Sequence, residues 1–477
     1  MSDIDKEISE EIWIEILKLL PVKDLGKCRV VCKPWDSLIV SPSFINAHLK
    51  YYSQNAANTL ILYKQFSNPP EKQEQYTLFR DSGEDKEANN LKVCHSFSCP
   101  FMATKTGYHF RVVGCVNGLV CLSDDLFGYT YTVLLWNPLI HKYIKLPVPL
   151  ATYQVSVGAY ICMLGFGYDS KRGDHKVVRL VYLRDKNHLD TTPPKVELYS
   201  VQDKRWRWVC ADYLVDICVC DIKWSQCFLN GNIHWVAWER DAKTKVFEKN
   251  CLLLFDVEGE RFKKMKLPEH LIKVNTLNLS VCEHDGKLSV IYSQLKGGFS
   301  GKEMERCEIW VKNEYNVGTS WCQVISLDLG SNIGLGWVQC LRKSGEVLGF
   351  TKKGTLVSYD PSTKQSKRLG FRGRWRSWST CAFTESLVLL DKKHGVGTYK
   401  EAGGRMKKRF TYNIDRNSHA QTIDEHEVVL DDGDEEDPVD DNIYYQGGVL
   451  FYEALMKFGG GQVTGELSEF LSQAGLV

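Results

Sequence analysis

Five glycines recur along the middle of this chain at nearly even spacing. Gly118, Gly173, Gly231, Gly286 and Gly345 stand 55, 58, 55 and 59 residues apart. Three of them close an Asn-Gly or Asp-Gly pair: Asn117-Gly118, Asn230-Gly231 and Asp285-Gly286. Such pairs suit two-residue hairpin turns, whose central positions both need positive φ. Short apolar runs flank them, GCV and LVCL around the first, FL and NIHWVAW around the second. Gly173 (in DSKRGDHKVV) and Gly345 (in RKSGEVLGF) hold the corresponding places. A second landmark keeps step, a strand-like run ending on an aromatic at Trp136, Tyr199, Phe255, Trp310 and Tyr359. A further short run then follows, as in HKYIKLP, RWRWV and RFKKMKLP. Two successive hairpins make a four-stranded unit. Such units recurring along a chain imply radial repetition, each blade covering the apolar face of the next. The interval exceeds the ~40–50 residues of common propeller repeats, and insertions such as 123–131 and 184–194 account for the excess. A β-sandwich pair would not produce five evenly spaced copies. The pattern predicts an all-β propeller of six to eight blades over 56–400, opened by LILY at 60–63 and closed by the run 380–390.

Ahead of the propeller the periodicity changes. From Ser9 to Leu20 the chain reads SEEIWIEILKLL, with Ser9 as N-cap and Glu10 and Glu11 in the first turn. Ile8, Ile12 and Ile16 recur every four residues, while Trp13, Leu17 and Leu20 recur at four and three, so the helix is apolar on two faces. Pro21 is expected to end it, because proline disfavours the helical conformation of the residue before it. A second helix is expected from near Asp24, carrying Leu25, Cys28, Val31 and Cys32. Trp35, Leu38 and Ile39 form a short turn, and Ser41-Pro42 caps a last helix through Phe44, Ile45 and Leu49. So small a segment cannot hide two apolar faces from water by itself. Either the helices cap the large domain, or one face meets another molecule, as exposed apolar patches usually do.

Charge and cysteine usage narrow the function classes. Sixty Lys plus Arg against 59 Asp plus Glu leave no electrostatic footprint for nucleic acid or anionic membrane. The acidic, polar start and the lack of a long apolar run predict neither a secretory signal nor a membrane span. The 17 cysteines are therefore expected as thiols, in the cytoplasm or nucleus. Cys115, Cys121, Cys210, Cys340 and Cys381 read as small core residues of apolar strands. Residues 424–441 hold eleven carboxylates and no Lys or Arg, which predicts a solvated, partly disordered tail over 401–477.

A catalytic set does not emerge. There is no G-x-S-x-G and no H-E-x-x-H. Gly297–Glu303 lacks the spacing of a phosphate loop, and Cys218-Val-Cys220 is too closely spaced for a zinc knuckle. His234 reads as a structural histidine, and Trp206 and Trp208 as residues of a half-buried outer strand. No catalytic residue, cofactor or metal is expected.

Residues 8–49, ISEEIWIEILKLLPVKDLGKCRVVCKPWDSLIVSPSFINAHL, resemble an F-box, above all in LLPVKDL, VVCKPW and SPSF. The domain that follows resembles the F-box-associated interaction domain of plant F-box proteins, related to kelch-type propellers. GCVNGLVCL, LLWNPLIHKYIKLP, GFGYD, VELYSV, FLNGNIHWVAW, LLFDVEGERFKKMKLP and TESLVLL carry that likeness. The chain departs from the F-box pattern at Ile8-Ser9, where Leu-Pro is usual, and at Pro34, where a small or polar residue is usual. The resemblance implies an α+β multidomain chain: a three-helix F-box over 5–50, the propeller over 56–400 and the extension 401–477. It further implies a non-catalytic substrate receptor of an SCF-type ubiquitin ligase. The F-box would bind a Skp1-like adaptor, and through it a cullin–RING module, while the propeller holds a protein substrate. Matched by position, the adaptor contacts are Ile8, Ile12, Ile16, Leu20, Pro21, Val22, Leu25, Val31, Cys32 and Trp35, of which Leu25 and Trp35 fit the motif's own core equally well. The rival reading is a propeller adaptor working outside any ligase.

Overall fold

A computed structural model describes residues 9–398 except 56–57, 67–73, 82–90, 102–108, 125–130, 153–159, 184–192, 220–224, 242–246, 296–303, 319, 329–334, 352, 374–377 and 393–395. Ile8, Cys220, the loop at Gly297–Glu303 and the acidic tail lie outside the described residues.

Six four-stranded antiparallel units form the body. The second blade runs Arg111–Val116, Leu119–Ser123, Val133–Asn137 and Lys142–Lys145 from inner to outer strand, with Gly397–Thr398 added at its outer edge. The third is built from Tyr160–Asp169, Asp174–Leu183, Lys195–Ser200 and Arg205–Val209. In the fourth, Asn232–Arg240 pairs on its inner side with both Cys227–Leu229 and Ile217–Val219, and Phe247–Asp256 and Arg261–Lys266 lie outside it. Leu279–His284, Lys287–Leu295, Met304–Lys312 and Trp321–Asp328 make the fifth; Leu335–Leu341, Val347–Thr351, Thr355–Asp360 and Gln365–Arg372 the sixth.

Every landmark glycine sits at the first hairpin of a blade with positive φ, from 68° at Gly173 to 84° at Gly345. At Asn117, Asn230 and Asp285 the preceding residue is left-handed as well, as a two-residue mirror-type turn demands. The second hairpins of the second, third, fourth and sixth blades share a signature that composition concealed. Their four-residue loops end on a left-handed His141, Lys204, Glu260 or Lys364. Five glycines mark six blades because the first blade has no such turn. It is the closure: Leu60–Phe66, Glu74–Arg80 and Lys92–Ser98 come from the start of the domain, and Ser379–Phe383 supplies the inner strand. That strand pairs Leu60 with Phe383 through Lys64 with Ser379.

The landmark aromatic Trp136 packs blade on blade. Trp136 is fully buried and meets Tyr76 of the first blade edge to face at 5.0 Å. Arg342 ties the sixth blade back to the first, its guanidinium donating to Asp81 at 2.9 Å. The cysteines depart from expectation. Only Cys121 of the five assigned to the core is buried; Cys210 is exposed after an outer strand, and Cys115, Cys340 and Cys381 are half-buried around the central channel. Cys115, Cys340 and Cys381 lie on inner strands, which face the axis and its channel instead of a neighbouring blade. The all-thiol expectation is also corrected, since Cys115 and Cys381 are joined as a disulfide.

Candidate functional site

Four helices precede the blades. They are α1 (Glu10–Leu17), α2 (Val22–Cys28), α3 (Lys33–Ile39) and α4 (Pro42–Gln54). The segment expected as a short turn at Trp35–Ile39 is a two-turn helix, because Pro34 falls in its first turn, where a missing N–H costs nothing. Pro21 does not end α1, which stops at Leu17; it stands as N-cap of α2, moving that helix start ahead of Asp24. Ser41 caps α4 as expected, its hydroxyl accepting from the Phe44 N–H at 3.2 Å.

The helices share one apolar core of Leu17, Val22, Leu25, Leu38, Ile39, Phe44 and Ile45. Trp13 and Trp35 meet edge to face at 4.9 Å beside it. Helix α4 pins the turn between α1 and α2, for His48 Nε2 lies 3.1 Å from the Leu20 carbonyl and the Tyr52 hydroxyl donates to that of Leu19 at 3.4 Å. Val22 and Leu25 are thus committed to the unit's own core. Leu20, Pro21, Cys32 and Trp35 are half-buried. Ile12 (50% exposed), Ile16 (45%) and Val31 (65%) face water. Two residues that helical spacing did not single out join them, Leu19 at 51% and Val30 at 86%. Both sit in turns after helices, where a 3.6-residue period has no purchase.

The core continues into the propeller through Leu387, which is buried among these helices, with Val388, Leu390, Leu139 and Ile140 packed at its border. The stretch 384–392 acts as a strap under the helices. Glu385 accepts from the Val22 N–H at 3.1 Å. Asn137 Nδ2 donates to the carbonyls of Ser386 and Val388, both at 3.0 Å. Ser386 donates to the Asn117 carbonyl at 2.6 Å, and Lys142 Nζ donates to the carbonyls of Leu389, Leu390 and Lys392. No periodicity announces these residues; LLWNP and TESLVLL mark them only by resemblance. A Cβ at Gly118 would meet the Ser386 hydroxyl and lie 2.8 Å from the Thr384 carbonyl oxygen, at a φ of +75°. Gly118→Ala is therefore expected to destabilise the chain by roughly 3 kcal/mol, combining left-handed strain with collision against the strap. Chemical denaturation would check it; an unchanged midpoint would refute the strap.

The strap fixes which end of the propeller the helices occupy. They sit at the first and second hairpin turns, next to Asn117-Gly118 and Pro138–Ile140. The middle connections leave from the other end, between Ser123 and Val133, Leu183 and Lys195, Arg240 and Phe247, and Leu295 and Met304. Along the axis runs a cavity of about 410 Å³ lined by inner strands and by Ser53 and Gln54 of α4. The predicted structural role of His234 matches its surroundings. It is buried, with Nδ1 2.9 Å from the Cys227 carbonyl and Nε2 2.6 Å from the Tyr315 hydroxyl, and burial lowers its pKa to about 4. Among the described residues, no group of three or more His, Cys, Asp or Glu could hold a metal ion, and no helix is long and apolar enough to cross a membrane.

Comparison with known families matches residues 7–46 to the F-box domain and residues 84–383 to the F-box associated beta propeller domain. An F-box/kelch-repeat protein of Arabidopsis thaliana is 25% identical over 66% of this chain and 78% of its own length. Another F-box protein of that plant is 24% identical over 81% of this chain and 93% of its own. The Arabidopsis F-box protein CPR1 is 24% identical over 82% of this chain and 89% of its own.

Proposed function

Because the chain belongs to the F-box-associated β-propeller family and carries an F-box ahead of that domain, we propose that it is the substrate receptor of an SCF-type ubiquitin ligase. The F-box binds a Skp1-like adaptor and through it a cullin–RING module; the propeller holds a protein target. The observation carrying this reading is the apolar surface of Ile12, Ile16, Leu19, Val30 and Val31, left in water by a unit whose opposite side is already covered. A contiguous exposed patch of that kind usually marks an interface with a partner.

The subunit performs no chemistry on ubiquitin. It works by proximity, raising the effective concentration of a target lysine near an activated thioester. The strap makes this effective, since a receptor that swung freely on its F-box would dilute that gain. With the F-box fixed at the hairpin-turn end, the opposite end, where the second strands finish at Ser123, Leu183 and Arg240, is the surface for the target. Loops on a rigid scaffold are where binding residues concentrate. We place the complex in the cytoplasm or nucleus. Co-expression of the full chain with a Skp1-like adaptor should yield one stoichiometric complex on size exclusion. Separate elution of the two folded proteins at micromolar concentration would sink the assignment.

A further inference from the structure

The central cavity has an unusual lining. Cys381 on the first blade, Cys115 on the second, Cys227 on the fourth, Cys282 on the fifth and Cys340 on the sixth all border it. Five inner strands thus each present one thiol-bearing residue to the same space. Burial pushes the thiols of Cys227, Cys282 and Cys340 up, which keeps them protonated and poor nucleophiles. Cys115 and Cys381 differ in place and in kind. They stand on adjacent inner strands of the first and second blades, their Cα atoms are 6.5 Å apart, and a disulfide joins them. That separation lies within the ~4.4–6.8 Å a disulfide spans without backbone movement.

The position of the pair is what gives it a role. The ring is closed by five backbone pairings between the strand Ser379–Phe383 and the strand Leu60–Phe66. Cys381 is in the middle of that closing strand, opposite Leu62, and Cys115 lies 266 residues earlier on the neighbouring blade. The bond therefore joins the end of the propeller chain to its beginning. Three residues beyond Cys381 the strap starts, held to the same second blade by Asn117, Asn137 and Lys142, and carrying Glu385 and Leu387 into the F-box. Opening the closing strand would release the floor of the F-box with it.

We propose that Cys115 and Cys381 are a reversible redox latch, which in its oxidised state locks ring closure and the F-box seat together. Hydrogen peroxide or a like two-electron oxidant sets it. One thiolate attacks a peroxide oxygen, the O–O bond breaks, and hydroxide leaves to become water by taking up a proton, giving a sulfenic acid. The second thiolate attacks that sulfur, the S–S bond forms, and the hydroxyl departs as water. Two thiols and one peroxide thus yield one disulfide and two waters, the cysteines losing two electrons and the peroxide gaining them. A dithiol reverses the step by exchange through a mixed disulfide. A cross-link closing so long a loop restricts the unfolded chain strongly.

The full chain, purified and divided between dithiothreitol and stoichiometric hydrogen peroxide, provides the test. Non-reducing peptide mapping should show the 115–381 cross-linked pair only after peroxide. The oxidised protein should melt about 5 °C above the reduced. Cys115→Ser and Cys381→Ser should each melt at the reduced position under both conditions, whereas Cys340→Ser should keep the wild-type difference. If a serine variant does not fold, alkylation of the reduced wild type before peroxide takes its place and should abolish the shift. Absence of the cross-linked peptide after peroxide, equal melting of the two states, or a shift that follows Cys340 would overturn the latch.

Discussion

Replacing Ile16 and Val31 together with Asp should weaken adaptor binding by about 100-fold or more while leaving the melting temperature within a degree or two of wild type. Both side chains stand in water in the free chain, so a carboxylate at either position stays hydrated and costs the fold little. In the complex the same carboxylates would be sealed against an apolar partner with nothing to pair them. Burying an unpaired charge or truncating an interface anchor costs about 2 kcal/mol or more at each site. The two sites lie on different elements, α1 and the turn after α2, so their losses largely add. Leu25→Ala supplies the contrast. Leu25 is fully buried in the helical core, and its truncation should cost about 2–5 kcal/mol of F-box stability. It would impair binding too, but through unfolding, visible as a lowered first transition. Titration of the adaptor by calorimetry, with melts in parallel, separates the two outcomes. Full affinity in the Ile16→Asp, Val31→Asp double variant would show that the exposed helical face is not where the adaptor sits.

That distinction marks how far the residues alone could reach. Hairpin glycines and landmark aromatics are local signals tied to backbone geometry, and they carried the blades through. Asn117-Gly118 has positive φ at both positions because almost no other pair tolerates it. LILY at 60–63 and the run 380–390 mark the opening and closing strands, but the closing strand stops at Phe383 and its pairing with Leu60–Lys64 is seen only in the structure. Helical periodicity, in contrast, reports that α1 has two apolar faces without saying which face each partner covers. Val22 and Leu25 belong to the inner side because the strap at 384–392 comes up beneath them, and nothing near residue 22 encodes a contact with Glu385. Leu19 and Val30 escaped for the converse reason, lying in turns outside the helical repeat. The cysteines misled in an instructive way. Small size and apolar neighbours are equally consistent with a core and with an inner strand facing the axis of a propeller, and only the placement of the strands decides between them.

Acidification from pH 7 to pH 5 should lower the melting temperature by roughly 8 °C, because three buried histidines are held neutral in the folded chain. Burial lowers the pKa of His48 to about 4, of His234 to about 4 and of His175 to about 3. Unfolded, each titrates near ~6.5. Above that value neither state binds the proton and the full stability is retained. Between about 6.5 and 4 the unfolded chain binds up to three protons that the folded chain refuses, so stability falls as pH falls. Each contributes ~1.4 kcal/mol per pH unit, about 4 kcal/mol together. With a specific unfolding entropy near 2 cal/mol/K per residue, that corresponds to about 5–6 °C per pH unit for a folded unit of this size. The depressed carboxylates Asp169, Glu239 and Glu260 act in the same direction, but only below the carboxylate range, outside this window. Glu74 opposes the trend, since burial raises its pKa and favours the folded state on acidification, yet it is one group against three. His175 is the cleanest probe. Its ring stacks on Phe166 and lies 4.7 Å from Tyr168, and its Nε2 has no hydrogen-bond partner, so phenylalanine fits the site without breaking a bond. His175→Phe should reduce the slope of melting temperature against pH by about a third. A flat melting temperature between pH 7 and 5, or a slope that His175→Phe leaves untouched, would mean that these rings reach their protons without the fold giving way.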